Sequence, residues 1–255
     1  MNFWWFDPEL NGGVAKREFA TLEQVFSLSG EHITADPLSE VLRIEREGRR
    51  YYVKRYAGNG KNARKRWFGL RQWLAPTRVK AEWQNLLFFR KLGIPTARLA
   101  AYGIERRCGG FRRGALVTEE IRDTTDLARL ALQRDARLRD WRWVAEVSAQ
   151  VARITRRMHD ACFVHNDLKW RNLLVTNGDA PVIYLIDCPS GRSWWGPFLR
   201  YRIVKDLACL DKVAKYHLTR TQRLRFYLDY AGRDRLNADD KRRVRRIARF
   251  FEGRE

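Results

Sequence analysis

Residues 165–172 read His165-Asn166-Asp167-Leu168-Lys169-Trp170-Arg171-Asn172, and fifteen positions after Asn172 the apolar run Val182-Ile183-Tyr184-Leu185-Ile186 ends in Asp187. No other stretch constrains the chain as much. An aspartate, a lysine two residues on, an asparagine five residues on and a second aspartate at a strand end are the groups that phosphoryl transfer asks of a protein. Asp167 can accept a proton from a hydroxyl, Lys169 can hold the moving phosphate, and Asn172 and Asp187 can hold magnesium. A lone loop aspartate is ordinarily a turn cap, but a cap does not explain Lys169, Asn172 and Asp187 at useful offsets. A carboxylate closing a buried strand is costly unless it meets a cation, and magnesium is such a cation. His165 is expected to support the loop rather than react. His159 and His217 are expected to be structural.

The frame around this run is readable from its periodicities. Residues 40–46 and 50–56 read as strands joined by Glu47-Gly48-Arg49, a hairpin. Val79, Trp83, Leu86 and Leu87 mark a helix over 78–91, which Gly93 and Pro95 end. Strands follow at 97–104 and 113–119, separated by Cys108-Gly109-Gly110. Beyond Glu120 the pattern turns helical. Val144, Val147, Val151, Ile154 and Met158 step by three and four along one buried face that leads into the 165–172 run. Two short strands, 172–176 and 181–186, flank Asn177-Gly178-Asp179. From about residue 200 the chain is helical, with Ile203, Leu207, Leu210 and Val213 on one helix and Val244, Ile247 and Phe251 on the last. The plan is α+β and bilobal, with a β-rich lobe over 1–121 and a mostly helical lobe over 122–255.

Lys54 falls in the second strand of the hairpin, where its ammonium can neutralise nucleotide phosphates if a carboxylate holds it. Glu82 on the 78–91 helix is the natural partner. Glu119, at the end of the 113–119 strand, joins Lys54 and Glu82 as a nucleotide-binding candidate. The segment expected to cover the phosphates, residues 30–40, holds one glycine and no G-x-G-x-x-G, so backbone amides of a non-glycine turn would have to serve.

Lysine and arginine number 51 against 30 acids, a net charge of +21. A field of that sign draws anionic partners: nucleic acid, acidic lipid surfaces or phosphorylated substrates. Residues 61–80 carry Lys61, Arg64, Lys65, Arg66, Arg71, Arg78 and Lys80 without an acid, interleaved with Trp67, Phe68 and Trp73, a mixture suited to an anionic headgroup surface. Ser193-Trp194-Trp195-Gly196-Pro197-Phe198 is expected to do the same near the acceptor site. The cysteines, Cys108, Cys162, Cys188 and Cys209, show no C-x-x-C spacing, so they read as reduced, buried thiols in a cytosolic protein rather than zinc ligands. No uncharged run exceeds seven residues, far short of the ~20 a spanning helix needs. Met1-Asn2-Phe3-Trp4-Trp5-Phe6 lacks a basic start and meets Asp7 at once, unlike a secretory signal.

These residues resemble the lipopolysaccharide kinase family, the bacterial Kdo and heptose kinases, and especially a pseudomonad subgroup. The resemblance covers about residues 25–230. It rests on the 165–172 run, on Leu185-Ile186-Asp187, on Ala81-Glu82 leading into Gly93-Ile94-Pro95-Thr96, and on Val204-Lys205-Asp206-Leu207 after a Trp-rich stretch. It implies a protein-kinase-like fold and an ATP- and magnesium-dependent kinase. The acceptor would be a sugar hydroxyl of the lipopolysaccharide inner core, reached at the cytosolic face of the inner membrane. By the same resemblance Asp167 is the catalytic base, Lys54 and Glu82 anchor the nucleotide, Asn172 and Asp187 bind the metal, and Asp206 braces the loop from below. Many family members differ at the positions of Lys169 and Asn172, and here the loop is the more protein-kinase-like. Cys188-Pro189-Ser190 replaces the Phe-Gly that follows the metal-binding aspartate in protein kinases, and no Ala-Pro-Glu follows, so a peptide-binding activation segment is not expected. Nucleic acid is not the expected partner. Alternatives remain: a minimal protein kinase or small-molecule kinase of the same fold, or an ATP-binding regulatory pseudokinase.

Overall fold

The computed structural model describes residues 2–10, 13–36, 39–57, 77–107 and 109–253. The chain divides into two compact units, one of residues 1–86 and 97–121, the other of residues 87–96 and 122–255.

The first unit is built on a six-stranded antiparallel sheet. Its strands are β1 (Phe3–Phe6), β2 (Glu31–Asp36), β3 (Ser39–Arg46), β4 (Arg49–Ala57), β5 (Leu99–Arg107) and β6 (Gly110–Glu119), in the order β1-β5-β6-β4-β3-β2. The expected hairpin is β3–β4. Its two loop residues, Glu47 (φ 53°) and Gly48 (φ 69°), both sit in the left-handed region, the backbone that a tight two-residue hairpin requires.

Alternation along β4 decides what each sheet face does. Tyr51, Val53 and Arg55 are buried, and with Leu42, Ile44, Phe19, Leu22 and Val25 they face a core roofed by α1 (Val14–Phe19) and α2 (Leu22–Ser27). Arg55 is tolerated there because its guanidinium reaches the carbonyls of Val25 (2.9 Å) and Leu28 at the end of α2, and Glu40 at 2.8 Å. Cations at a helix C-terminus meet unsatisfied carbonyls. Lys54 and Tyr56 point to the opposite face, as a period of two demands. There the N-terminal half of α3 (Arg78–Lys91) packs Trp83 against Tyr102 at 4.9 Å.

Three features of this unit were not foreseen. β1 adds an edge strand along β5, and it comes so close that a Cβ on Gly103 would stand 2.1 Å from the Phe3 carbonyl. α1 and α2, six residues each, are too short to show a helical period. Within the segment expected to cover phosphates, residues 31–36 form β2 and pair with β3 across a bulge between His32 and Thr34, while residues 37–38 lie outside the described residues. Most of the basic tract at 61–80 lies outside the described residues.

The second unit is helical, with α4 (Leu127–Leu132), α5 (Trp141–Asp160), α6 (Gly196–His217), α7 (Arg220–Ala231) and α8 (Ala238–Ala248). α5 buries Val144, Val147, Val151, Ile154 and Met158, the stripe its sequence announces. Two small sheets join β7 (Thr124–Asp126), β9 (Leu173–Thr176) and β10 (Ile183–Leu185), and β8 (Phe163–Val164) with β11 (Arg192–Ser193). Residues 87–96 dock here through Leu185 N–H to the Pro95 carbonyl and Arg157 to the Gly93 carbonyl, both 2.9 Å.

Three helices occupy the end of the chain where two apolar stripes were read. The extra one, α7, buries only Tyr227 and Tyr230 among many arginines, and begins in a Thr219/Gln222 capping box. The last helix stops at Ala248, short of Phe251. The cysteine reading needs a correction: Cys188 and Cys209 are buried but Cys162 is exposed. Cys162 sits just past α5 at φ 55°, where the chain turns out of the helix. Cys108 lies outside the described residues. No helix among the described residues is long and apolar enough to cross a membrane.

Candidate active site

The candidate residues gather in two clusters, one in each unit. In the first, Lys54 Nζ lies 2.6 Å from Glu82 Oε1, and the Tyr56 hydroxyl donates to Glu82 Oε2 at 2.7 Å. Glu82 is 1 % exposed. Removing one partner of a buried ion pair strands the other charge, at a cost of about 3–5 kcal/mol. The pair therefore fixes Lys54 on its sheet face. Glu119 ends β6, and its carboxylate lies 3.7 Å from Arg49.

In the second unit the chain leaves β8 through His165 and Asn166, the latter at φ 66°. Asp206, in the middle of α6 and fully buried, accepts the backbone N–H of His165 at 2.7 Å and of Asn166 at 2.9 Å. Two charge-assisted bonds to backbone N–H offset much of the desolvation of a buried carboxylate. His159 steadies Asp206 from α5: Nε2 is 3.5 Å from Asp206 Oδ2, and Nδ1 is 2.9 Å from the Tyr230 hydroxyl. The partners of His159 come from residues 47 and 71 positions away, out of reach of any local pattern.

The loop beyond this anchor presents Asp167. Lys169 Nζ lies 2.6 Å from one carboxylate oxygen and Arg171 Nη2 3.3 Å from the other. Arg171 was present in the motif without an assigned part, and its contact at i, i+4 was the signal available. Asn172 is buried and donates its amide Nδ2 to the Asp167 carbonyl at 2.8 Å. That bond leaves Asn172 Oδ1 as the free oxygen of the amide. Trp170 locks the same turn by donating Nε1 to the Leu210 carbonyl at 3.0 Å.

Strand register brings the second aspartate alongside. Leu185 pairs with Leu173 across β9–β10, and the Ile186 N–H donates to the Asn172 carbonyl at 3.0 Å. Asp187 follows at φ 58°, one residue after the backbone bond that ties Ile186 to Asn172. One amide oxygen and one carboxylate fit magnesium, which takes few protein oxygens and completes its shell with water and phosphate. Among the described residues no group of three or more His, Cys, Asp or Glu is arranged for a metal.

The His165 ring stacks on Phe89 at 6.3 Å and 12°, and both its ring nitrogens are buried without a hydrogen-bond partner. Burial pushes its imidazole below the usual histidine range; the carboxylates of Asp206, Asp167 and Asp187 and the Ile186 backbone pull the other way without overcoming it. His217 packs against Trp170 at 6.2 Å. The depressed value of His165 carries a sign. Below the unfolded pKa of about 6.5 the unfolded chain binds a proton that the fold refuses, so stability present above that pH is lost as the pH falls toward the folded value. Urea midpoints are expected to drop between pH 7 and pH 5.5. In His165→Leu the drop over that window should be shallower, by up to about 1.4 kcal/mol per pH unit, the slope that one proton supplies. Equal slopes in the two proteins would refute the assignment.

The model of the lipopolysaccharide kinase (Kdo/WaaP) family matches residues 21–230. A 3-deoxy-D-manno-octulosonic acid kinase of Actinobacillus succinogenes is 31 % identical over 102 residues, 40 % of each chain. The lipopolysaccharide core heptose(I) kinase WaaP of Pseudomonas aeruginosa is 28 % identical over 223 residues, 83 % of this chain and 80 % of that protein. A solved structure of WaaP in complex with acyl carrier protein superposes with a TM-score of 0.76 over 98 % of both chains at 24 % identity, a likeness of fold. With the family model spanning most of its length, the chain belongs to the lipopolysaccharide kinase (Kdo/WaaP) family.

Proposed function

We propose that this protein transfers a phosphoryl group from ATP to a hydroxyl of an inner-core lipopolysaccharide sugar, heptose or Kdo. The observation that carries the reading is the loop itself: Asp167 flanked by Lys169 and Arg171, with Asn172 tied to its carbonyl beside Asp187. In this reading Asp167 takes the proton of the acceptor hydroxyl as the new bond forms. Lys169 steadies the transferring phosphate, and Arg171 holds the second carboxylate oxygen so that Asp167 keeps one orientation. Lys54, fixed by Glu82 and by Tyr56 behind it, neutralises nucleotide phosphates. The part given to Glu119 in nucleotide binding rests on its place at the end of β6. Asn172 and Asp187 would hold magnesium, which neutralises phosphate charge when bound. The intact set favours turnover over a pseudokinase role.

Two partners belong to the same reading. The apolar cavity of about 290 Å³ in the second unit, lined by Val147, Val151, Leu207, Leu210 and Tyr227 among others, is chemically suited to an acyl chain. It supports binding of an acyl carrier protein like the one in complex with WaaP in the solved structure, and the charge of +21 would favour an acidic one. The second partner is the anionic surface of the inner membrane. Trp195 is 78 % and Phe198 65 % exposed at the start of α6, with Tyr201 one turn on, a ridge suited to the headgroup boundary.

Phosphate transfer from labelled ATP to dephosphorylated core, wild type beside Asp167→Ala, tests the activity. The variant should fold with an unchanged circular dichroism spectrum and lose about 10²–10⁴-fold in turnover; a variant retaining more than a hundredth removes Asp167 as base. Acylated carrier protein should raise the melting temperature more than its unacylated form, with an effect that fades as salt rises. Equal effects would leave the cavity without its ligand. Sedimentation with anionic vesicles should fall several-fold in Trp195→Ser/Phe198→Ser, and undiminished sedimentation would move the membrane contact elsewhere.

A further inference from the structure

Beside the catalytic loop stands a group of side chains that the transfer step does not use. Arg192 Cζ lies 4.4 Å and Arg202 Cζ 4.7 Å from the ring centre of Trp194. Two guanidiniums over one indole are favoured by the ring and opposed by each other. A carboxylate between them would settle the conflict, yet among the described residues neither arginine pairs with one. The Trp194 Nε1–H is buried and also lacks a partner. Two guanidiniums therefore flank one indole with no carboxylate claiming either, apart from one bond from Arg202 Nη1 to Asn166 Oδ1 at 3.2 Å.

The backbone holds this group next to the chemistry. β11 pairs with β8 so that Arg192 lies opposite Val164, three residues before Asp167. The Trp194 N–H donates to the Cys162 carbonyl at 2.9 Å. Arg202, in the second turn of α6, touches Asn166, the immediate neighbour of Asp167, and Asn166 Nδ2 donates to the Ser190 carbonyl at 2.8 Å. Through Val164 and Asn166 the group borders the loop that presents Asp167, so an acceptor offering its hydroxyl to Asp167 lies beside these arginines.

We propose that Arg192, Trp194 and Arg202 form an acceptor subsite that holds an anionic substituent, a carboxylate or a phosphate ester, on the saccharide being phosphorylated. The proposal rests on the sugar-kinase reading. It adds what that reading leaves open, namely which part of the acceptor is gripped and that the grip is ionic. Arginine suits the task because its planar fork meets two oxygens of one oxyanion at once. The subsite selects acceptors by a charge the reaction does not alter, so its contribution falls on acceptor binding.

The test uses the full chain with ATP, magnesium and three forms of the acceptor core oligosaccharide: native, carboxyl-reduced, and phosphatase-treated. Arg192→Gln is expected to raise the acceptor KM about tenfold to a hundredfold and to leave the KM for ATP in place, with Arg192→Lys recovering part of the loss. Removing the anionic group that the subsite holds should weaken the wild type by the same factor, and combining the two changes should add nothing further. Whichever treatment behaves this way identifies carboxylate or phosphate as the group. An unchanged acceptor KM in both Arg192→Gln and Arg202→Gln, or effects of substitution and group removal that multiply independently, would overturn the subsite. Calorimetric binding of the same three saccharides without ATP reads the subsite even if no transfer occurs. Absence of transfer by the wild type to all three acceptors would count against the sugar-kinase reading alone.

Discussion

The carboxylate of Asp206 is the point on which the 165–172 loop depends. It is wholly buried and sits in the middle of a 22-residue helix, so it cannot move without moving α6. Its two oxygens take the N–H groups of His165 and Asn166, which fixes the backbone immediately before Asp167. A buried carboxylate unmatched by such bonds would cost several kcal/mol. The energy that tolerates Asp206 inside the fold is thus the same energy that holds the loop in its left-handed turn at Asn166. His159 and Tyr230 extend the arrangement into α5 and α7, tying three helices to one loop geometry.

A similar economy runs through the first unit. The period of two along β4 sends Val53 and Arg55 into the core under α1 and α2 and turns Lys54 and Tyr56 to the other face. Lys54 is therefore placed by the same alternation that builds the core. A slip of one residue in strand register would exchange the two faces. It would bury the lysine among Phe19, Leu22 and Val25 and expose Val53. Hydrophobic burial on one face consequently enforces the position of a charged side chain on the other.

What the sequence disclosed and what it withheld follow from the range of the interactions concerned. The helix at 78–91, the hairpin with its Glu47-Gly48 turn and the buried stripe of α5 are local patterns, and local patterns are readable. The pairing of Lys54 with Glu82 was readable because chain order and charge left one sensible partner. β1 was not, since Phe3-Trp4-Trp5-Phe6 has no polar alternation, and its partner β5 lies about a hundred residues away. α7 escaped because it buries two tyrosines on a face otherwise shared with arginines. The exposure of Cys162 depends on how the chain turns out of α5, which no composition rule reports. Strand β2 within the 30–40 stretch escaped as well, because Glu31-His32-Ile33-Thr34-Ala35-Asp36 is mostly polar and carries no apolar alternation.

Charge links the two scales. With 51 basic residues against 30 acidic ones, at least 21 cations have no carboxylate of their own. Where carboxylates are used, they mostly join pieces of the scaffold: Arg223 to Asp211 between α7 and α6, Arg98 to Asp7 between β5's approach and the N-terminal strand, Arg55 to Glu40 within the sheet. Around the loop the ratio inverts. Lys169 and Arg171 share the single carboxylate of Asp167, and Arg192 and Arg202 share only an indole. A surface whose excess charge served solubility alone would spread it evenly, because like charges repel. Concentrating guanidiniums beside Asp167 raises the local potential for an anion at the proposed acceptor site. The net charge of this chain is in that sense partly a property of its site.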